Sequence, residues 1–358
     1  MLRLGTILLL IGAMITTTSG AEPALELGPV VRAATGPEGH YGFPRLVRAA
    51  DGRLLVFYRV GNEHAAGNSS IGVRDSQDDG KTWSDERTVW RAPNGTSAHN
   101  PVALVTRSGE IILWISRYVF SEKGHERQHQ VWTRSKDHGQ TWSTPTQFDM
   151  STERSCYYMT EAIQTSNGLL ACDAAFPPGG GGNCFVQVWH SADDGATWQV
   201  ISRLTMPEEN LGDEAAFLET EPGVILCLLR HRGKAHPEMS PATWRLWSRD
   251  GGKTWSPREN MVATLDVLQR PFLTRLDEQT ILLSGRGAPR KTVAYLSRDN
   301  GQTFGDKFEL DAYQGEGGYT AAVTSGKRSV VIAWHSDEGT DKSKPDIKVA
   351  TLKVVDGK

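Results

Sequence analysis

An eight-residue motif recurs five times in this 358-residue chain and constrains its fold more than any other feature. Each copy reads Ser-x-Asp-x-Gly-x-Thr followed by Trp or, in the last copy, by Phe. The copies begin 59, 56, 57 and 49 residues apart, at Ser76, Ser135, Ser191, Ser248 and Ser297. A near-constant period of this size is typical of chains built from repeated structural units, such as β-propellers.

The residues of the motif indicate a tight turn that closes a hairpin. A run rich in β-branched and aromatic residues precedes each copy, as at 185–189 and 292–296, and such runs predict strands. Within the motif, Asp can accept hydrogen bonds from nearby backbone N–H groups, Gly can adopt a positive φ, and the aromatic ring can pack back onto the sheet.

A second unit, an apolar stretch followed by a turn and another strand, occurs six times, for example at 45–57 and 101–114. Six such hairpins and five octapeptides predict six four-stranded units of about 56 residues each. No part of the chain shows a sustained helical period. We therefore expect an all-β fold, a six-bladed β-propeller of four-stranded antiparallel blades.

The first residues have the pattern of a secretory signal peptide. Arg3 precedes a short apolar run at 4–15, and small residues at 19–21 offer a cleavage point. The run is too short to span a bilayer comfortably, which favours cleavage over anchoring. We expect residues 1–21 to be removed, residues 22–358 to form one propeller domain without a membrane span, and the protein to be exported, periplasmic or extracellular.

Charge and cysteine content narrow the possible partners and cross-links. The net charge is −3 with both signs interspersed, so no nucleic-acid partner is expected. Four cysteines in an exported chain can form two disulfides, and Cys172 and Cys184 flank a Gly-rich loop that a bond between them could close. Cys227 lies in an apolar run and is interpreted as a core residue.

The five octapeptides resemble the Asp-box, or bacterial neuraminidase repeat, of the sialidase superfamily, and the resemblance covers nearly all of residues 22–358. In that family the Asp-box carboxylates lie in turns away from the site, which implies that Asp78 and Asp137 are not catalysts. The resemblance implies an exo-α-sialidase-like hydrolase that releases a terminal sialic acid or related acidic sugar from a glycan. Retention through a Tyr nucleophile, without cofactor or metal, is implied as well.

Two segments resemble the family's catalytic motifs. Tyr319 follows two glycines just after the fifth repeat, as the family's nucleophile does, and Tyr313 is its nearest rival. Glu214 and Arg230 are 16 positions apart, which fits the family's base and one of its carboxylate-binding arginines. A neutral phenol needs a base to take its proton, and a planar guanidinium can bind a carboxylate through two hydrogen bonds.

The other two arginines of the family's carboxylate site are less clearly matched. Arg290 has the position of the third arginine, and Arg286 is its possible substitute. In the first blade, Gly42 stands where the family's Phe-Arg-Ile-Pro signature has Arg. Arg45 lies three positions on, an odd displacement that points to the other face of a strand, and Arg59 is another replacement.

The acid/base also departs from the family. Family members carry an Asp in the loop before the first Asp-box, and the corresponding residues 59–68 contain none. Glu63 or His64 could protonate a leaving group there, because the surroundings of each can tune its titration.

Two other functions fit the same sequence. One is a propeller glycosidase for a different, non-sialic sugar, in which Glu214 and a second carboxylate act directly. The other is a non-catalytic carbohydrate-binding Asp-box propeller. Convergence of Arg230, Arg290 and either Arg45 or Arg59 around Tyr319 would favour the sialidase.

Overall fold

The computed structural model describes residues 24–36, 39–64, 67–121, 124–148, 155–176, 185–205, 212–231, 241–337 and 344–355. The described part of the chain is built from strands: β1 (Ala24–Leu27), β2 (Val31–Ala34), β3 (His40–Arg48), β4 (Leu54–Gly61), β5 (Ser70–Ser76), β6 (Arg87–Arg91), β7 (Thr96–Val105), β8 (Ile111–Ser121), β9 (Gly124–Ser135), β10 (Thr146–Gln147), β11 (Ser155–Thr165), β12 (Gly168–Phe176), β13 (Phe185–Ser191), β14 (Gln199–Arg203), β15 (Gly212–Glu221), β16 (Val224–His231), β17 (Ala242–Ser248), β18 (Glu259–Asn260), β19 (Gln269–Arg275), β20 (Ile281–Gly287), β21 (Lys291–Ser297), β22 (Gly305–Ala312), β23 (Gly317–Gly326), β24 (Ser329–Ser336) and β25 (Asp346–Val355).

The strands form six antiparallel sheets, which confirms the predicted six-bladed β-propeller. Blades one to five take consecutive groups of four strands, from β3–β6 to β19–β22. Blade six contains β23, β24 and β25, and both N-terminal strands, β1 and β2, pair with β25. The N-terminal strands thus close the ring against the C-terminal strand, a closure that the repeat count alone did not predict.

The hydrophobic core lies between neighbouring blades. Leu226 of blade four and Leu283 of blade five belong to one buried cluster, and Leu113 of blade two and Phe57 of blade one belong to another. Each blade is covered on both faces, so residues on both sides of a strand are apolar, as in the fully buried run 111–115. Burial of this apolar surface is the main stabilising term for such a fold.

The five repeat turns share one hydrogen-bond pattern, shown here for Asp193. Its Oδ1 accepts from Ser191 Oγ and from Thr197 N, both at 2.8 Å, and its Oδ2 accepts from Thr197 Oγ1 at 2.6 Å. The Thr197 bonds, with that from Ser191, lower the pKa of Asp193 to about 2. Gly195 has φ of 86°, and a Cβ there would lie 2.4 Å from Ile112 of the preceding blade. The carboxylate therefore stabilises its own turn.

Strand register places the repeat turns and the starts of the inner strands at opposite ends of the blades. In blade one, Leu54 pairs with Ser76 of the repeat, while Arg59 pairs with Gly42 near the start of β3. The first strands of the six blades contact one another in a closed ring, so they line the central axis.

Each of these inner strands carries a β-bulge near its start. The bulged residues are Phe43-Pro44, Asn100-Pro101, Thr160, Asp213-Glu214, Arg270-Pro271 and Gly318-Tyr319. A bulge breaks the regular alternation of side chains and redirects them. Six bulges at one end of the ring therefore direct a set of side chains toward the same central region.

Cys172 is a buried free thiol, and its Sγ lies 3.1 Å from Thr160 Oγ1. Because this thiol is free, the disulfide considered between Cys172 and Cys184 is not formed. Cys184 lies outside the described residues, and so does the expected signal segment 1–21. Cys227 is fully buried in the core, as predicted. In the described ranges, no helix has the length and apolar character needed to cross a membrane.

Candidate active site

Tyr319 lies at the centre of the end that carries the bulges. Its hydroxyl donates a 2.9 Å hydrogen bond to Glu214 Oε1. The preceding Gly318 has φ of 89°, and a Cβ there would lie 2.9 Å from Arg286 Cβ, so glycine permits the turn that presents the phenol. Burial, with the charge of Glu214, raises the pKa of Tyr319 to about 12. The phenol is therefore neutral at ordinary pH and has a carboxylate positioned to accept its proton.

Glu214 is buried, and its carboxylate is held by donors from three different strands. Besides the Tyr319 hydroxyl, Arg230 Nη1 donates to Oε2 at 2.6 Å and the Arg270 backbone N–H donates to Oε2 at 3.0 Å. The bulge in β15 places residues 213 and 214 opposite Arg230 of β16. The interval of 16 residues thus brings the Glu214 carboxylate and the Arg230 guanidinium into contact.

Three guanidinium groups surround the tyrosine, and their charges each act to lower its pKa against the effects of burial and Glu214. They belong to Arg286, Arg230 and Arg270. The Arg286 Cζ lies 4.4 Å from the centroid of the Tyr319 ring, and its Nε donates to Gly317 O at 2.5 Å. Nη1 of Arg270 is buried and has no hydrogen-bond acceptor among the described residues.

Two of the arginines expected at the site lie elsewhere. Arg290 is exposed in the turn between β20 and β21, where its carbonyl accepts from Tyr313 N, so Arg286 takes the position beside Tyr319. Arg45 is buried in an ion pair with Glu161 Oε1 at 2.5 Å, and its Nε donates to Ala103 O at 3.2 Å. We therefore correct the prediction that Arg45 binds a substrate carboxylate, because Glu161 and the Ala103 carbonyl already bind its guanidinium.

The remaining candidates from the sequence also have defined positions. Arg59 is fully buried, and its Nη1 lies 3.3 Å from His40 Nδ1. The Tyr313 ring packs against Gly317, where a Cβ would lie 2.5 Å from the ring, and against Arg286. Glu63 is exposed, with no side-chain hydrogen bond to any described residue. Of the two tyrosines, Tyr319 is therefore the one bonded to a carboxylate.

His64 is bound by a glutamate that sequence reasoning did not find. Its Nδ1 lies 2.5 Å from Glu316 Oε1, and Glu316 Oε2 lies 3.0 Å from His40 Nε2. Donor atoms of these three residues lie within 4.8 Å of one another, and two histidines with a carboxylate are a ligand set that divalent metals can use. Glu316 had no sequence signal beyond its proximity to Tyr319.

Phe43 joins the histidine cluster to the tyrosine. Its ring centroid lies 5.7 Å from that of Tyr319 and 5.3 Å from that of His64. His99 and His335 lie at 5.2 and 5.6 Å on the same ring. Phe43 is a bulge residue of β3, next to Gly42. The site therefore has a Tyr–Glu–Arg side and a His–Glu side that meet at this aromatic ring.

Arg270 was also missed, although the sequence contains a signal for it. Arg270-Pro271 has the same place in blade five as Phe43-Pro44 in blade one and Asn100-Pro101 in blade two. Aligning these X-Pro pairs across the repeats would have identified Arg270 as a residue directed toward the central site.

The six blades and the repeat turns define a class, the β-propellers built from BNR repeats. The model of one family, the BNR repeat-like domain, matches residues 52–332. That match covers more than half of the sequence, and the chain belongs to this family. No curated protein matched the chain.

Several solved structures share this fold. A protein of unknown function from Dyadobacter fermentans is 20% identical with a TM-score of 0.77, covering 93% of this chain and 100% of its own. The Hadza microbial sialidase Hz136 is 20% identical with a TM-score of 0.68, covering 88% and 66% respectively. Trypanosoma rangeli sialidase in complex with sialic acid is 16% identical with a TM-score of 0.66, covering 91% and 59%. At these identities the likeness shows the fold, and the chain spans about two thirds or less of each sialidase.

Proposed function

We propose that this protein is an exo-α-sialidase-like glycoside hydrolase that releases a terminal sialic acid or a related acidic sugar from glycans, with retention. The observation that carries the proposal is the 2.9 Å hydrogen bond from Tyr319 to Glu214 beside three guanidinium groups. Sialidases from the Hadza microbiome and from Trypanosoma rangeli share the fold, and the latter was solved with sialic acid.

In the first step the Tyr319 oxygen attacks the anomeric carbon and its proton passes to Glu214. The bond from the anomeric carbon to the leaving oxygen breaks, and an acid protonates that oxygen. Tyr319 is neutral until it reacts because its pKa is about 12, so it does not repel the carboxylate of an acidic sugar. Glu214 supplies the adjacent base that activates a weak nucleophile.

In the second step water attacks the anomeric carbon of the tyrosyl intermediate. Its proton goes to the base left by the first step, the carbon–Tyr319 bond breaks, and the phenolate regains its proton from Glu214. Two inversions at the same carbon give net retention.

The arginines provide binding for the sugar carboxylate. Arg270 and Arg286 both place a positive charge beside Tyr319, and Arg286 lies against the face of the Tyr319 ring. A guanidinium binds a carboxylate with charge-assisted, often paired hydrogen bonds. In this proposal Arg230 keeps its expected role, while Arg286 and Arg270 act in place of Arg290 and Arg45.

Export is part of the same proposal, because sialylated glycans face the outside of cells. Residues 1–21 are proposed to be removed, which N-terminal sequencing of the secreted protein would check.

The decisive experiment measures hydrolysis of a fluorogenic 4-methylumbelliferyl α-sialoside by the purified protein across a pH series. Tyr319→Phe should lower kcat by at least about 10³-fold, since it removes the nucleophile while conserving the ring. Tyr313→Phe makes the same chemical change at the neighbouring tyrosine and should remain close to wild type. Failure of the wild-type protein to turn over any sialoside at any pH would refute the proposal, and turnover of neutral glycosides instead would support the alternative glycosidase.

A further inference from the structure

We propose that His64 is the acid/base of this site and that Glu316 is the residue that positions it. The assignment rests on the proposed function and selects His64 over Glu63. It depends on a cluster in which His64, Glu316, His40 and Arg59 are linked by hydrogen bonds, with His335 beside Glu316. These residues come from different parts of blades one and six.

The backbone of Glu316 is fixed by a buried aspartate. Asp337 Oδ2 accepts from the backbone N–H groups of Gly315 and Glu316 at 2.7 and 2.8 Å, and Oδ1 accepts from Gln314 N at 2.9 Å. The N–H of Asp337 donates back to Glu316 O at 3.1 Å. The segment just before the nucleophile strand β23 is thus held in one conformation, and the Glu316 carboxylate is placed with it.

Arg59 determines which atoms of the cluster donate hydrogen bonds and which accept them. A guanidinium can only donate, so its Nη1, 3.3 Å from His40 Nδ1, requires that nitrogen to accept. Burial lowers the pKa of Arg59 to about 10, which still leaves it protonated at neutral pH. A neutral His40 must therefore carry its proton on Nε2 and donate it to Glu316 Oε2 at 3.0 Å.

The same argument applies to His335 on β24. The backbone N–H of Phe43 donates to His335 Nδ1 at 3.2 Å, so the proton of a neutral His335 is on Nε2, which lies 4.0 Å from Glu316 Oε1. Burial alone would raise the pKa of Glu316, but hydrogen bonds from His40 and His64 outweigh it and hold the pKa well below its usual range. Glu316 is therefore a carboxylate that only accepts.

The positions of these imidazole protons argue against a metal centre at His40, His64 and Glu316. Binding a metal through His40 Nε2 would require a lone pair there and a proton on Nδ1, which would then face the donating Arg59. The three residues have the ligand types of a metal site, yet their hydrogen-bond polarity is that of a carboxylate that orients imidazoles.

His64 has the exposure and orientation that an acid/base needs. Its Nδ1 donates to the Glu316 carboxylate at 2.5 Å, and its side chain is 58% exposed, whereas that of Glu316 is 11% exposed. With Nδ1 fixed as the donor, Nε2 is the nitrogen that exchanges a proton with substrate. His64 and Tyr319 lie on the same Phe43 ring, at 5.3 and 5.7 Å between centroids. Glu63 is exposed and has no comparable support in the described residues.

In the first step His64 Nε2–H protonates the leaving oxygen as the anomeric C–O bond breaks. In the second, neutral Nε2 takes a proton from the attacking water, which restores the starting state when Glu214 returns its proton to Tyr319. The negative charge of Glu316 stabilises the imidazolium that is present before the first step and is formed again in the second. The titratable and charged groups around the pair are His40 on β3, Arg59 on β4, His99 on β7 and His335 on β24.

The test compares two sialosides that differ in their need for an acid, 4-methylumbelliferyl sialoside and sialyllactose. For His64→Ala, kcat/KM on sialyllactose should fall by about 10²–10⁴-fold, whereas the activated substrate should lose about tenfold or less. Glu316→Gln should shift the alkaline limb of the kcat/KM–pH profile to lower pH, because the imidazolium loses its carboxylate. His190→Ala, at the repeat-turn end of blade three, is the matched control and should change neither quantity.

Equal losses on both substrates, with an active wild type, would overturn this assignment alone. An unmoved alkaline limb in folded Glu316→Gln would overturn the role of Glu316. Inactivation of the wild type by EDTA with recovery on adding zinc would overturn the proton-relay assignment in favour of a metal. A wild type inactive on both sialosides would overturn the proposed function and this assignment with it.

Discussion

Tyr319 and Glu214 are 105 residues apart in the sequence, yet their side chains form a 2.9 Å hydrogen bond. They lie on the inner strands of blades six and four, with blade five between them in the ring. The pair therefore exists only when the ring is assembled, and each partner lies at a bulge that redirects its side chain.

Glu214→Gln should lower kcat/KM on the sialoside by about 10²–10⁴-fold, because the amide cannot accept the Tyr319 proton. Steady-state kinetics at the optimum pH of the wild type provides the measurement. Glu221→Gln makes the same change at the far end of the same strand, where the side chain is exposed, and should have no effect. Comparable losses in both variants would contradict the role given to Glu214.

Arg286→Lys should raise KM for an acidic substrate by about tenfold or more, since lysine lacks the planar fork that binds a carboxylate. Arg290→Lys should leave KM close to that of the wild type, because Arg290 is exposed in the adjacent turn. A methyl ester of the sugar carboxylate should reduce the difference between the variants. A larger KM change in Arg290→Lys would restore Arg290 as the carboxylate ligand.

Arg45→Met should lower the free energy of unfolding by about 3–5 kcal/mol, because it leaves Glu161 charged and buried without its partner. The two side chains are 8% and 3% exposed, so solvent does not compensate. The double variant Arg45→Met, Glu161→Met should recover part of the loss. Urea unfolding measures both effects. An unchanged stability together with a raised KM would show instead that Arg45 binds substrate.

Stability should fall as the pH is lowered from 7.5 to 5.5. His99 and His335 are buried, and burial lowers the pKa of each well below its usual value. Between that lowered pKa and about 6.5, the unfolded chain binds protons that the folded chain does not, so stability is present above 6.5 and is lost below it. Each group contributes up to about 1.4 kcal/mol per pH unit.

Urea unfolding at pH 7.5 and at pH 5.5 measures this dependence of stability on pH. His99→Gln should weaken the pH dependence, whereas His190→Gln, a partly exposed histidine in blade three, should leave it unchanged. The same unfolding free energy at both pH values would show that these histidines are not held neutral in the folded protein.

Some of the site could be predicted because it depends on short-range spacing. Glu214 and Arg230 are joined by one hairpin, so their interval in the sequence determines their proximity. Tyr319 was predicted from the resemblance of its Gly-Gly-Tyr motif to that of the family, and Gly318 has the positive φ of such a turn. Arg290 and Arg286 could not be separated in this way, because the turn between β20 and β21 decides which of the two reaches the tyrosine.

The sequence by itself determined the repeated turn and, through its period, the number of blades, because the hydrogen bonds that the Ser and Asp side chains of the repeat make within the turn join residues at most four positions apart. Only the tertiary structure decided that Arg270, and not Arg45, lies beside Glu214 and Tyr319 and that Glu316 binds His64. The bulges break the side-chain alternation from which facing residues are inferred, and closure of the ring joins residues that are distant in the sequence, such as His64 and Glu316, 252 positions apart.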